Sequence, residues 1–327
     1  MIKTKTLPFS FWWPLLVGAL VGVAMRLVFS GKPGNMYGTM MASFIYLVPI
    51  LVGIVTVYIA ETRVRRTWGY YLWAPLLANV IFVTGTLLIM VEGWICAIVI
   101  IPLFAVLGSL GGVLMGIVCR TTSWPKQTLY SFAILPLILG GLETTTPLPA
   151  QLSSIERTII IHAPPSEVWR QIHQVQDIKP EEVNFAWAYR IGVPVPLAGI
   201  TQQTPDGPVR KITMGKGVHF DQIVAEWREN QYVRWTYRFD DDSFPPRALD
   251  DHVKIGGHYF DFKDTSYTLT PHGQTTELKL RMQYRVSTQF NWYADTVAQF
   301  LLGDVEEALL KLYRQRSETN LRAKETT

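Results

Sequence analysis

Between Asp250 and Phe262 the chain reads DDHVKIGGHYFDF, three Asp and two His around a Gly-Gly pair. A His beside a carboxylate at the mouth of a cavity has a tunable proton affinity. Asp251 with His252, or His258 with Asp264, is therefore a candidate acid-base pair. A catalytic metal wants three convergent ligands and an open position. In an extended chain His258 and Asp261 point to opposite faces, no HxH or HxxxH accompanies them, and His162, His173, His219 and His272 are scattered. No metal is expected. There is no Gly-x-Ser-x-Gly, no Cys after Cys119, no phosphate loop and no dinucleotide fingerprint, so no cofactor is expected either. His258, His252 and Asp251 remain as catalytic candidates, against the plainer reading of the stretch as a polar hairpin rim held by Asp-backbone bonds.

Where that stretch lives depends on the elements around it. The 327 residues divide in composition near Glu143. Before it stand nine Lys or Arg and only two acids, Glu61 and Glu92; from it onward, 21 basic residues face 24 acidic ones. The basic excess flanks apolar runs, which marks it as membrane-orienting and argues against nucleic-acid binding. Both cysteines, Cys96 and Cys119, lie in apolar runs, so no disulfide framework is available.

A helix needs about 20 apolar residues to cross the hydrocarbon core. Phe11 to Phe29, Met40 to Ala60, Tyr71 to Val91 and Trp94 to Val118 meet that length, and Thr128 to Leu142, shorter and containing Pro136, is read as a fifth span. Lys3, Lys5, Arg63, Arg65, Arg66, Arg120 and Lys126 fall on one side of five spans and only Lys32 on the other. The positive-inside rule then puts the N-terminus in the cytoplasm and everything after Glu143 outside, at the plasma membrane, the inner one in a Gram-negative bacterium. The first run follows two lysines but has no small-x-small cleavage pattern, so it is read as a retained span. Gly18 with Gly22, and Gly108 with Gly112 and Gly116, make flat faces for helix packing within the chain or for a homo-oligomer seam. The span middles hold no ionisable residue, which suits an anchor better than a proton-driven pump.

After a linker over 143–152, alternation replaces the apolar runs. Ile155 to Ile161 reads as a strand and Ala163-Pro164-Pro165-Ser166 starts a helix carrying Val168, Trp169 and Ile172. Strands are expected over 185–191, 209–214, 218–226, 232–239, 258–270 and 276–286, with turns at Pro205-Asp206-Gly207 and Pro271-His272-Gly273. Leu278, Leu280, Met282, Tyr284 and Val286 share one strand face while charged residues share the other. From Phe290 to Arg316 apolar residues recur at three- and four-residue steps, giving a long amphipathic helix to cover the apolar face. The polar tail 319–327 is expected to be disordered.

This order, with IIIHAPPSEVWRQI at its start and TTELKLRMQYRV before a long helix, resembles the SRPBCC or START-like superfamily of polyketide cyclases, dehydrases and lipid-transport proteins, over about residues 153 to 318. The insertion DDDSFPPRALDDHVKIGG and the membrane half depart from the soluble members. The resemblance implies an α+β helix-grip fold, a curved antiparallel sheet around a C-terminal helix, with a cavity for a hydrophobic molecule or lipid. Its lining is expected from Trp235, Tyr237, Phe260, Phe262, Met282, Tyr284, Tyr293 and Val297, with Trp187 and Tyr189 as weaker members. Three functions follow: membrane-anchored binding of a hydrophobic ligand, a cyclase or dehydrase using a His or Asp acid-base group, or a protein-interaction module with a vestigial pocket.

Overall fold

The computed structural model describes residues 9–32, 35–123, 125–143, 148–250 and 252–325. Two compact units result, residues 1–149 with 288–290 and residues 150–287 with 291–327.

The first unit is helical: α1 (Phe9–Val28), a π-helical turn (Ser43–Leu47) leading into α2 (Val48–Glu61), α3 (Trp68–Leu88), α4 (Trp94–Thr121) and α5 (Pro125–Leu142). Four stretches are long and apolar enough to cross a membrane, Phe11–Val28, Ser43–Glu61, Trp68–Leu88 and Trp94–Thr121; α5 is not among them. The glycines expected to pack do so within the unit. A Cβ on Gly18 would strike Thr56 of α2, one on Gly22 the Phe82 ring of α3, and those on Gly112 and Gly116 would strike Pro75 and Tyr71 of α3. Near the end of α1, the Arg26 guanidinium pairs with Glu92 and donates to the Phe29 carbonyl at 2.9 Å. At the other end of α1–α4, Tyr71 donates to Glu61 at 2.7 Å and accepts from Arg120 at 3.0 Å. Glu143 caps the start of the second span, accepting from the Ala42 and Ser43 amides and the Ser43 hydroxyl.

The second unit comprises β1 (Ala150–Ile161), α6 (Pro165–His173), β2 (Gln174–Val175), α7 (Pro180–Val183), α8 (Trp187–Arg190), β3 (Pro196–Thr204), β4 (Gly207–Met214), β5 (His219–Arg228), β6 (Tyr232–Arg238), β7 (Phe260–His272), β8 (Thr275–Ser287) and α9 (Asn291–Glu325). All strands pair antiparallel in the order β1-β8-β7-β6-β5-β4-β3-β2. The long helix packs against β1, where Gly303 admits Ile155 and Arg157. Ten residues later Tyr313 meets Arg210 of β4. Five strand steps separate β1 from β4, about 24 Å in a flat sheet, whereas ten helical residues rise only about 15 Å. The sheet must therefore curl around the helix.

Four sequence expectations need correcting. Residues 185–191 are not a strand: α8 forms there because Asp304 of α9 accepts from the Trp187 amide at 2.5 Å, a cap from another element that local pattern cannot reveal. β3 went unrecognised because PLAGITQQT carries Pro, Gly and two Gln, all tolerable beside a sheet edge that only the two-residue β2 extends. β1 takes residues 150–152 from the expected linker. The tail is helical to Glu325, since its Glu, Arg, Ala and Lys are good helix formers that continue an established helix.

Candidate ligand site in the second unit

Side chains on the sheet face that α9 covers are apolar at most positions. Trp235, Tyr267, Leu269, Leu278, Leu280 and Met282 join Ala308, Leu312 and Tyr313 of α9 in one buried cluster. Across it runs a polar row set by register: Thr201 of β3 lies opposite Arg210 of β4, Arg210 opposite Gln222 of β5, and Gln222 opposite Tyr237 of β6. The Tyr237 and Thr265 hydroxyls extend it to β7, 2.5 Å apart.

Arg210 is the unusual member. It is 3% exposed and meets only neutral groups, donating to Gln222 Oε1 at 3.2 Å and to the Tyr313 hydroxyl at 3.0 Å. Its guanidinium also lies 5.9 Å from the Tyr267 ring centre, and its Nε has no partner. Among the described residues no carboxylate pairs with it. Gly199 of β3 makes the room, because a Cβ there would sit 2.7 Å from Arg210 Nη2. Burial of an unpaired cation is costly unless something compensates it.

Beside it stands His173 at the end of α6. The ring is enclosed by Trp169 at 4.4 Å, Trp227 at 4.6 Å and Trp235 at 5.7 Å between centres, and its Nδ1 lies 2.9 Å from Thr201 Oγ1. Burial, reinforced by the nearby Arg210 charge, pushes its pKa down to about 3. His173 is thus neutral at pH 7. Its Nε2 and the Trp235 indole N–H are both buried without partners. Burial also pushes the Tyr237 hydroxyl up to about 12, with hydrogen bonds from Thr265 and Gln222 opposing the rise. Unmatched donors and one unpaired cation inside this buried aromatic cluster, called the chamber below, are groups able to recognise oxygen atoms on an apolar molecule.

The residues expected to line a cavity are placed unevenly. Trp235 and Met282 lie in the buried cluster, and Phe262 packs against it. Tyr237 stacks on Phe262 at 5.3 Å, Phe262 meets Phe260 at 5.3 Å and Phe260 meets Tyr284 at 5.9 Å, so these four are brought together. Tyr284 is fully buried and donates to Asp295 Oδ1 at 2.8 Å. Tyr293 and Val297 sit half-buried in the first turns of α9. Tyr189 is buried and Trp187 exposed, on opposite sides of α8.

Of the acid-base candidates, His258 and His252 are not among the residues of this cluster. β7 begins at Phe260, so His258 belongs to the preceding turn and strand alternation does not align it with the two Phe rings. It is exposed, and its carbonyl accepts from Arg285 at 3.0 Å, which holds the turn onto β8. His252 is half-buried with its ring 5.9 Å from Tyr259. Asp251 lies outside the described residues. Arg210, Gln222, His173, Tyr313 and Glu306, a buried acid on α9, were missed, although a trace existed. By period two, Gln222 shares its face with Phe220 and Val224, and Arg210 shares its face with Ile212.

No family model and no curated protein matches the chain. Among solved structures, it is similar to a START superfamily protein from Mycobacterium smegmatis (16% identity, TM-score 0.33, covering 51% of this chain and 97% of that one). It is also similar to a protein from Thermus thermophilus (17%, 0.33, 51% and 99%). A third is the Zhui aromatase/cyclase from a Streptomyces species (10%, 0.32, 53% and 98%). At such identities and scores no ligand or reaction is carried over from them. The strand order, the register and a terminal helix gripped by a curled sheet are features of this chain itself, and they make the second unit an α+β fold of helix-grip type.

Proposed function

We propose that the chain is a membrane-anchored binding protein that holds a hydrophobic small molecule or lipid between the curled sheet and α9. The observation that carries this reading is the buried Arg210, unpaired by any described carboxylate, in a chamber where Trp235 Nε1 and His173 Nε2 also lack partners. A chain without a ligand would gain stability by replacing these groups with apolar ones of similar volume. Mass spectrometry of organic extracts tests it. The purified full chain yields an apolar or amphipathic compound that a control ending at Pro149 does not; equal extracts from both would overturn the reading.

The anchor is read as five spans with the second unit outside the cytoplasm. Support comes from α5 itself. It starts four residues after α4 ends, yet Glu143 at its far end caps the start of the second span, and the Gly140 carbonyl accepts from Tyr37 before that span. An antiparallel path from one end of the bundle to the other fits these contacts. At 18 residues α5 is about 27 Å long, close to the hydrocarbon thickness. Ile134, Ile138 and Leu142 on it are exposed, as lipid-facing residues would be, and Trp12, Trp68 and Trp94 are exposed near helix ends, where aromatic belts sit.

A further inference from the structure

Glu306 occupies the face of α9 that looks at the sheet, seven residues before Tyr313 and thus almost directly in line with it. Its side chain is wholly enclosed, at 0% exposure, and neither carboxyl oxygen has a hydrogen-bond partner. Ser317 farther along that face also has a buried hydroxyl with no partner, whereas Asp295 and Tyr313 are matched. Asp295 accepts from Tyr284, Gln151 and Gln299, and Tyr313 accepts from Arg210. Packing alone gives no reason for an acid here, since Leu would fill the place without stranding two oxygens.

Burial pushes the Glu306 carboxyl up to about 8; the Met282 amide on β8, which approaches the carboxyl without the geometry of a full hydrogen bond, and the charge of Arg157 on β1 oppose the rise, while Glu156 on β1 adds to it. A carboxyl that keeps its proton is a hydrogen-bond donor as well as an acceptor. Placed in an apolar enclosure, such a group finds its best partner in a carbonyl oxygen, which is a strong acceptor and carries no charge to be desolvated.

Resting on the reading that the interior holds a ligand, we propose that Glu306 faces that ligand and donates a hydrogen bond to a carbonyl oxygen on it. The substrate class narrows accordingly, from any hydrophobic molecule to an oxygenated one such as a ketone, quinone or ester.

Two probes of matched size test this with the full chain in lipid nanodiscs: 2-acetylnaphthalene, which has a carbonyl, and 2-ethylnaphthalene, which has none. Equilibrium dialysis against empty nanodiscs gives each affinity, and infrared spectra of the carbon-13-labelled ketone report hydrogen bonding at its carbonyl. The wild-type chain is expected to favour the ketone about tenfold, equivalent to ~1.4 kcal/mol, with a lowered carbonyl stretch. Glu306→Leu loses both the preference and the shift while holding the hydrocarbon as before. Glu306→Gln, which keeps the shape and an N–H donor, retains part of each and guards against a folding defect in the Leu variant. An unchanged ketone preference in Glu306→Leu, or equal binding of both probes by the wild-type chain, overturns the role of Glu306 alone. Binding of neither probe to folded wild-type chain overturns the ligand reading and this proposal with it.

Discussion

Removing the charge of Arg210 while keeping its length separates a ligand anchor from a packing residue. Arg210→Met is expected to melt within a few degrees of the wild-type chain or above it, because trading a buried ion for an apolar group of similar volume is often neutral or stabilising. Gly199→Val acts on the same group indirectly: its branch would occupy the space of Arg210 Nη2, 2.7 Å from any Cβ there, and is expected to lower the melting temperature by several degrees. Two buried titrating groups shape the pH dependence of the second unit. His173 is held near 3 against an ordinary 6.5, so the unfolded chain binds the extra proton between those values and stability rises with pH across that window. Glu306 is held near 8 against an ordinary 4.5, so the folded chain binds the extra proton and stability falls as pH rises from 4.5 to 8. Each contributes a slope of about 1.4 kcal/mol per pH unit within its window. Chemical denaturation should therefore show a plateau between about pH 4.5 and 6.5 and a decline above it, and Glu306→Gln should abolish the decline. These residues are only faintly legible in the sequence. Period two puts Gln222 and Arg210 on apolar faces, but which acid on α9 points inward depends on the helix's rotation against β1, which Gly303 sets.

At the scale of elements, the fold is legible in the sequence where a strand has one covered face. β6 and β8 alternate cleanly, β5 and β7 do so apart from one register shift each, at Val224/Glu226 and Phe262/Asp264, and both hairpin turns have their glycine at positive φ, Gly207 and Gly273. It is poorly legible where a neighbour decides. α8 depends on Asp304, so Asp304→Ala should cost about 1 kcal/mol, as a lost helix cap does, and loosen Trp187, measurable by thermal melting and by faster amide exchange over 187–191. The DDHVKIGGHYFDF stretch misleads for a related reason. Gly256 at positive φ and the Arg285 clamp on the Gly257 and His258 carbonyls make it a tied turn. His258→Ala is accordingly expected to leave ligand recovery unchanged.

For the whole molecule, each end of the helical unit carries one Arg and one Glu that bond across helices. Arg120 and Glu61 bracket Tyr71 at one end of α3 and α4, while Arg26 and Glu92 pair at the opposite end. A reporter active only in the cytoplasm, fused after Thr327, is expected to be silent; activity there would leave α5 uncrossed. Whether Arg210 holds a ligand in the chamber is decided by comparative mass spectrometry of extracts from wild-type chain and Arg210→Met. A compound is expected in the wild-type extract that falls at least about tenfold in Arg210→Met at equal folded protein, the loss of one charge-assisted hydrogen bond. Equal recovery from both chains, or nothing from either, would contradict it.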